Sequence, residues 1–347
     1  MLSHPLSVSV DLLHILLHYA ENLGIGRQTI ISGTGIDLSI YLADESRIPM
    51  PTFHAIWSLI MNRSNDPDFG LHFGEQSHRL LRRHLLYAMM MNCQNVEQAI
   101  RKNFQYHHLI TDIIKPVIRV EDSLANLTWE MSHPLMTHER HFSESILALL
   151  VTMIRFLTED TFKLKKVHFT HSCPENLAEH ERIFQAPLVF RRPCNEIILP
   201  KSYLNSPILM ANAKIAGDLE NLVKDTLQRS YANLPWTEKV ARLISPQILQ
   251  ETKPDIEAIA KHLAISKRKL QIKLQSEGTS FRNILEEVRK QISVSYLHDK
   301  DASICEIAML LGFADQSAFQ HAFKRWTGKT PGGYRKKIAL PSDDVPQ

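Results

Sequence analysis

Two stretches late in the chain carry amide, hydroxyl and cationic side chains at helical spacing. In the first, Lys267, Arg268, Lys269, Gln271 and Lys273 fall outward on a helix whose Leu270 and Leu274 face in. In the second, Gln316, Ser317, Gln320, His321, Lys324 and Arg325 fall outward, while Phe319, Phe323 and Trp326 face in. Such a face offers many hydrogen bonds under positive charge, which suits a polyanion. The charge distribution agrees. From Trp236 to Leu340 there are 18 Lys+Arg against 11 Asp+Glu, a net +7, whereas the rest has 22 against 26, a net −4. A basic C-terminal third beside a mildly acidic remainder points to nucleic acid at one end and another task at the other.

Each polar face needs an element to hold it. Pro254 and Asp255 start a helix with Ile256, Ile259, Ala260 and Leu263 on its buried side. A turn at Ala264–Ile265 leads to Ser266, an N-cap for the first polar helix, and Gly278 closes it. The pattern recurs downstream. Ile304, Ile307, Ala308 and Leu311 form a buried face, Gly312 turns the chain, Phe313 plugs the core and Asp315 caps the second polar helix. Between the pairs, residues 281–299 read as one amphipathic helix with Phe281, Ile284, Leu285, Val288, Ile292 and Leu297 inward. A connector of about 17 residues spans roughly 25 Å. It could place two reading helices about 34 Å apart, one turn of B-DNA, from a single chain.

Residues 236–336, with both pairs, the connector and the closing GKTPGGYR (328–335), resemble the DNA-binding domain of the AraC/XylS family of bacterial transcription regulators. The ending G-x-x-P-x-x-Y/F-R is that family's most specific signature. EGTSFRNILEEVRK and LGFADQSAFQHAFKRWTG resemble one subgroup, whose preceding domain is an arabinose-binding-like effector domain rather than a cupin barrel. Residues 24–75 and 86–110 follow its pattern more diffusely. The resemblance implies base contacts from Arg268, Gln271, Gln316, Ser317 and His321, Gln suiting adenine and Arg guanine. It implies phosphate contacts from Lys267, Lys273, Lys324 and Arg325, with solvated charge as the plainer reading of the last two. Ile272 and His321 stand where the family commonly has basic residues. By the same resemblance the partners are double-stranded promoter DNA, RNA polymerase and a small organic ligand, a fatty acid or other organic acid first and an amino-acid derivative second. Activation is the expected direction, and no cofactor is implied.

The fold expected is an α+β N-terminal effector domain followed by an all-α DNA-binding domain with two helix-turn-helix units. Its parts are 1–205 for ligand sensing, 206–235 as a connecting helix, 236–340 for DNA and 341–347 as a disordered tail. The connecting helix runs from Pro207 to about Tyr231, with Leu219, Leu222, Val223 and Leu227 as its stripe. It either forms a homodimer contact or packs on the domain before it. In the first part, 8–20, 52–62, most of 80–113 and 140–158 read as helices, and between the first two lies a loop-rich segment with Gly24, Gly26, Gly33 and Gly35. Residues 117–131 read as a hairpin turning near Asp122–Ser123, 167–172 and 196–200 as strands, and 175–184 as a helix.

Within that part, Tyr87, Met89, Met90, Phe104, Tyr106 and His107, joined by His108, could line an apolar ligand pocket, or simply be core. Nearby Arg79, Arg82, Arg83, Arg101 and Lys102 could hold a carboxylate, or form a solvated face. Fifteen of the 18 His precede Trp236. His138/His141 and His168/His171, with Cys173 nearby, have H-x-x-H spacing, which leaves a metal-binding sensor or an enzyme on this half as the alternative reading. Residues 168–172 read as a strand, however, where positions i and i+3 point to opposite faces. No catalytic residue is singled out: nucleophile–base pairs, paired carboxylates and a phosphate loop are lacking, and GTGID (33–37) has no strand–helix frame.

At 347 residues, 44% hydrophobic and 22% charged, the chain has the makeup of a globular protein of two or three domains. Cys93, Cys173, Cys194 and Cys305 have no paired spacing and read as reduced, buried thiols. The N-terminus lacks a basic leading segment and a cleavage site, and the apolar run 146–157 is too short to span a bilayer and contains Arg155. A cytoplasmic protein without a membrane segment is expected.

Overall fold

The computed structural model describes residues 6–41, 47–82, 84–131, 139–159, 163–232, 234–249, 253–298 and 302–339. His138, Arg83 and the expected tail 341–347 lie outside them. The chain divides into two compact units, one between residues 7 and 232 and one made mainly of the residues from 233 on.

The first unit opens with β1 (Ser7–Ser9), α1 (Val10–Asn22), α2 (Arg27–Thr34), β2 (Arg47–Pro49), α3 (Met50–Ser64), α4 (Phe69–Leu81), α5 (Leu85–Met91) and α6 (Val96–Tyr106). Then come β3 (Ile114–Glu121), β4 (Leu124–Met131), α7 (Arg140–Leu157), β5 (Lys166–His168), α8 (Ala178–Phe184), β6 (Leu188–Val189), β7 (Asn195–Pro200) and α9 (Ala213–Ala232). β1 and β2 pair antiparallel, and the other strands form one sheet of order β3-β4-β7-β5-β6 in which only β5–β6 is parallel. Alternation drives the sheet: Ala125, Leu127 and Trp129 of β4, with Ile197 and Leu199 of β7, are buried on one face. The β3–β4 hairpin turns at Asp122, whose φ is +46°, with Glu121 opposite Leu124.

Four sequence expectations need correction. Of the thiols read as buried, Cys93 is, whereas Cys173 and Cys305 are exposed and Cys194 is half-buried. Residues 27–34 are helical, with Gly26 as N-cap and Gly35 ending the helix in the left-handed region at φ +68°; of the four glycines only Gly33 falls inside it. The connecting helix starts at Ala213, not Pro207. Pro207 bridges to Asn95, and the Asn212 side chain accepts the backbone N–H groups of Lys214 and Ile215 at 3.1 and 3.2 Å, so the helix begins there. The strand at 167–172 ends at His168.

The helical core centres on Trp57, which meets Phe69, Phe73 and Phe142 edge-on at 5.1, 5.1 and 5.5 Å. Behind it α4 and α7 cross so closely that a Cβ on Gly70 would lie 2.0 Å from the His141 carbonyl oxygen, and one on Gly74 2.3 Å from that of Ser145. The obstacle is backbone, which cannot swing aside. Gly70→Ala is therefore expected to destabilise this unit by about 2 kcal/mol even after the gain in helix propensity. A lowered urea midpoint would register it, and an unchanged midpoint would mean that the two helices are free to separate.

The second unit is all helix: α10 (Trp236–Leu249), α11 (Ile256–His262), α12 (Lys267–Ser276), α13 (Phe281–His298), α14 (Ile304–Leu310), α15 (Gln316–Thr327) and α16 (Pro331–Ala339). Its caps are the polar residues that the sequence marks. Asp255, Ser266 and Asp315 accept the N–H groups of Ala258, Lys269 and Ala318 at 3.0, 3.2 and 2.7 Å, and Ser303 with Glu306 forms a reciprocal capping box. One core runs through both helix pairs and the connector, from Ile259, Leu270 and Leu274 through Ile284 and Val288 to Phe319 and Phe323. The architecture is thus α+β followed by all-α with two helix-turn-helix pairs. Among the described residues no helix is long and apolar enough to cross a membrane.

Candidate nucleic-acid interface and effector cavity

The turn before α12 is made at Ala264, φ +54°, and the turn before α15 at Gly312, φ +70°. Each turn is followed by a capping side chain, so both second helices start at a fixed residue. Leu270 and Leu274 anchor α12, and Phe319, Ala322 and Phe323 anchor α15. The opposite faces are bare. Arg268, Gln271, Gln316, Ser317, His321 and Lys324 are exposed, and none makes a side-chain bond among the described residues. Arg268 and Gln271 are three residues apart and Ser317 and His321 four, so each pair shares a helix face. Ile272 lies beside Gln271 at 56% exposure.

The remaining cations differ. Lys267 donates to Glu257 at 2.8 Å, which raises its pKa. Arg325 donates to Glu286 at 2.9 Å, and Trp326 Nε1 reaches the same carboxylate oxygen at 3.3 Å. Lys273 is half-buried, with Nζ 5.8 Å from the centre of the Trp236 ring. The sequence pattern finds these three cations but not the partners already holding them, which are distant in the chain.

The first unit contains a cavity of about 120 Å³ between α1, α4, α5, α7 and the start of the sheet. Of the residues expected to line a pocket, Tyr87, Met90 and His107 do so; Met89, Phe104 and Tyr106 do not. Tyr87 and Met90 share one face of α5, while Met89 is turned into the packed core. Phe104 packs edge-on against Trp129 at 5.8 Å, and the Tyr106 hydroxyl donates to Glu220 of α9 at 2.7 Å. None of the nearby described cations reaches the wall. Arg82 lies over the Phe156 ring at 3.9 Å, Arg101 pairs with Glu97 at 2.7 Å and Lys102 with Glu220. The walls that sequence reading missed come from the alternation of β4 and the inward stripe of α7, including Trp129, Phe142 and Met153.

The His168/His171 pair falls apart in the fold, while the His138/His141 pair lies partly outside the described residues. His168 meets Glu196 at 2.9 Å, while His171 comes within 3.4 Å of Glu144. Glu144 is fully buried and binds Arg140 Nε at 2.7 Å and His180 Nε2 at 2.6 Å. His141 Nδ1 is 3.6 Å away and accepts the Gly70 N–H instead. Burial disfavours the charge on Glu144, but the histidines and Arg140 hold its carboxyl down at about 2. Among the described residues no group of three or more His, Cys, Asp or Glu is placed to hold a metal ion.

Residues 24–208 match the family described as the arabinose-binding domain of AraC transcription regulator, N-term, and residues 259–337 match a helix-turn-helix domain family. The chain is 25% identical over 340 residues to the ornithine utilization regulator of Pseudomonas aeruginosa, covering 96% of this chain and 99% of that protein. It is 26% identical to the transcriptional regulator VirS of Mycobacterium tuberculosis over 60% of each chain. The crystal structure of the regulator CdpR from Pseudomonas aeruginosa aligns at a TM-score of 0.43 and 20% identity over 89% of this chain and 96% of its own.

Proposed function

The chain belongs to the AraC family of transcription regulators, and we propose that it activates transcription from promoter DNA in response to a small organic ligand held in its N-terminal unit. One observation carries the reading: two capped helices present bare polar faces from a single core joined by the connector α13. Arg268 and Gln271 would read bases in one major groove, and Gln316, Ser317 and His321 in the next. Lys324 is ready to meet a phosphate; Lys267 and Arg325 would first exchange a carboxylate for one, and Lys273 would do so from beside Trp236. Ile272 offers its exposed side chain to a thymine methyl. Ligand binding would shift the balance between arrangements that differ in DNA or RNA polymerase contact. A homodimer contact through α9 is supported by the outward Ile215 and Leu222, 44% and 45% exposed. The chain is read as a regulator without catalytic machinery, working in the cytoplasm.

Gln271→Ala and His321→Ala should each weaken binding to the specific promoter by about 1–3 kcal/mol and leave nonspecific binding nearly unchanged. Footprinting over neighbouring promoters, followed by gel-shift titration of both variants, is the test. Unchanged specific affinity in both would overturn the assignment of the two reading faces.

A further inference from the structure

Among the described residues, the wall of the cavity in the first unit carries no Lys, Arg, Asp or Glu side chain. Its one ionisable base, His107, is pushed down to about 4 by burial and by neighbouring His108, so it is neutral at ordinary pH. The rest is largely hydrocarbon and aromatic, with Leu86, Met90, Ile146 and Leu150 among the lining side chains.

Most polar groups in the wall are already committed. Ser77 donates to the Phe73 carbonyl at 2.6 Å and Ser145 to that of Phe142 at 2.7 Å. Thr111 accepts the Ile113 N–H at 3.2 Å, and the Asn103 amide meets Met90 Sδ at 3.3 Å. His107 Nδ1 lies 2.7 Å from the Phe104 carbonyl oxygen. Tyr87 differs. It is 4% exposed, and its buried hydroxyl has no hydrogen-bond partner among the described residues. Burial raises the pKa of that phenol further, so it remains a donor. An unpaired buried donor costs about 1–3 kcal/mol, which an acceptor on a bound molecule would recover.

Resting on the effector reading of this cavity, we propose that its ligand is a small uncharged molecule: one apolar ring carrying a hydrogen-bond acceptor that takes the Tyr87 O–H. The volume of about 120 Å³ is near the size that admits a single benzene-like ring. A carboxylate such as the head group of a fatty acid would enter with no cation among the described wall residues to meet it, a desolvation cost that an uncharged ring avoids.

Acetophenone, benzoate, ethylbenzene and octanoate form a direct test, because the first three share a ring and differ in charge and in acceptor. Binding to the full-length protein at neutral pH is measured by calorimetry. Acetophenone is expected to bind at least about tenfold more tightly than benzoate or octanoate, and about fivefold more tightly than ethylbenzene. Tyr87→Phe, which keeps the ring and its packing, should abolish the preference for acetophenone over ethylbenzene. Tighter binding of either carboxylate, no binding of acetophenone, or an unchanged preference in Tyr87→Phe would each overturn the proposal. The effector reading is tested separately, by whether bound acetophenone changes promoter affinity or transcription. Binding without such an effect would sink that reading and leave the ligand class standing.

Discussion

Glu144→Ala is expected to cost the N-terminal unit about 3–5 kcal/mol, because it leaves buried donors without their acceptor. Glu144 and His180 are both fully buried, and His180 Nε2 sits 2.6 Å from the carboxylate. Arg140 would keep Asp68 at 3.1 Å but lose its bond to Glu144. Glu144→Gln retains an acceptor for His180 and should lose less. Calorimetric unfolding of the full chain would show the unit's transition falling for both variants, furthest for alanine. Equal transitions in alanine and wild type would mean that the carboxylate is not a structural anchor.

The same group predicts an acid limb. Its carboxyl ionises near 2 when folded, against a reference of 4.5, so the unfolded chain binds the proton more readily as pH falls. The stabilisation is complete above about pH 4.5 and is lost as pH drops toward 2, a change of roughly 3 kcal/mol. Glu144→Gln should flatten that limb of the stability–pH curve.

Phe323→Ala is expected to remove about 3–5 kcal/mol from the DNA-binding unit. Phe323 is fully buried, meeting Phe319 at 5.7 Å and Tyr334 of α16 at 5.4 Å. It anchors α15 from the side opposite Ser317 and His321. Its loss should weaken specific and nonspecific DNA binding together, with a fall in helical circular dichroism on heating. That outcome differs from Gln271→Ala, where folding and nonspecific binding survive. A stable Phe323→Ala protein with intact promoter binding would show that α15 does not depend on this core for its position.

Local chemistry made the helix pairs legible in the chain. Ser266, Ser303 and Asp315 are side chains that bond backbone three residues on, and the apolar spacing around Leu270, Leu274, Phe319 and Phe323 repeats with the helical period. The hairpin turning at Asp122 was legible for the same reason, since strand alternation and turn residues act over a few positions. Glycine misled around 27–34: Gly26 and Gly35 bound the helix rather than break it, and Gly33, the interior one, lets α2 pack against Leu59 of α3.

The sequence by itself determined which residues form the two reading helices and which of their faces is polar, because caps, turns and amphipathic period are encoded within about a dozen neighbouring residues. Only the tertiary structure decided what those side chains are free to do. It pairs Lys267 with Glu257 and Arg325 with Glu286, and it turns Met89 into the packed core while Tyr87 lines the cavity. It also draws His171 and His180 onto one buried glutamate. These relations join residues far apart in the chain, and a carboxylate's partner or a cavity's charge depends on which helices cross, here at Gly70 and Gly74, rather than on any local spacing.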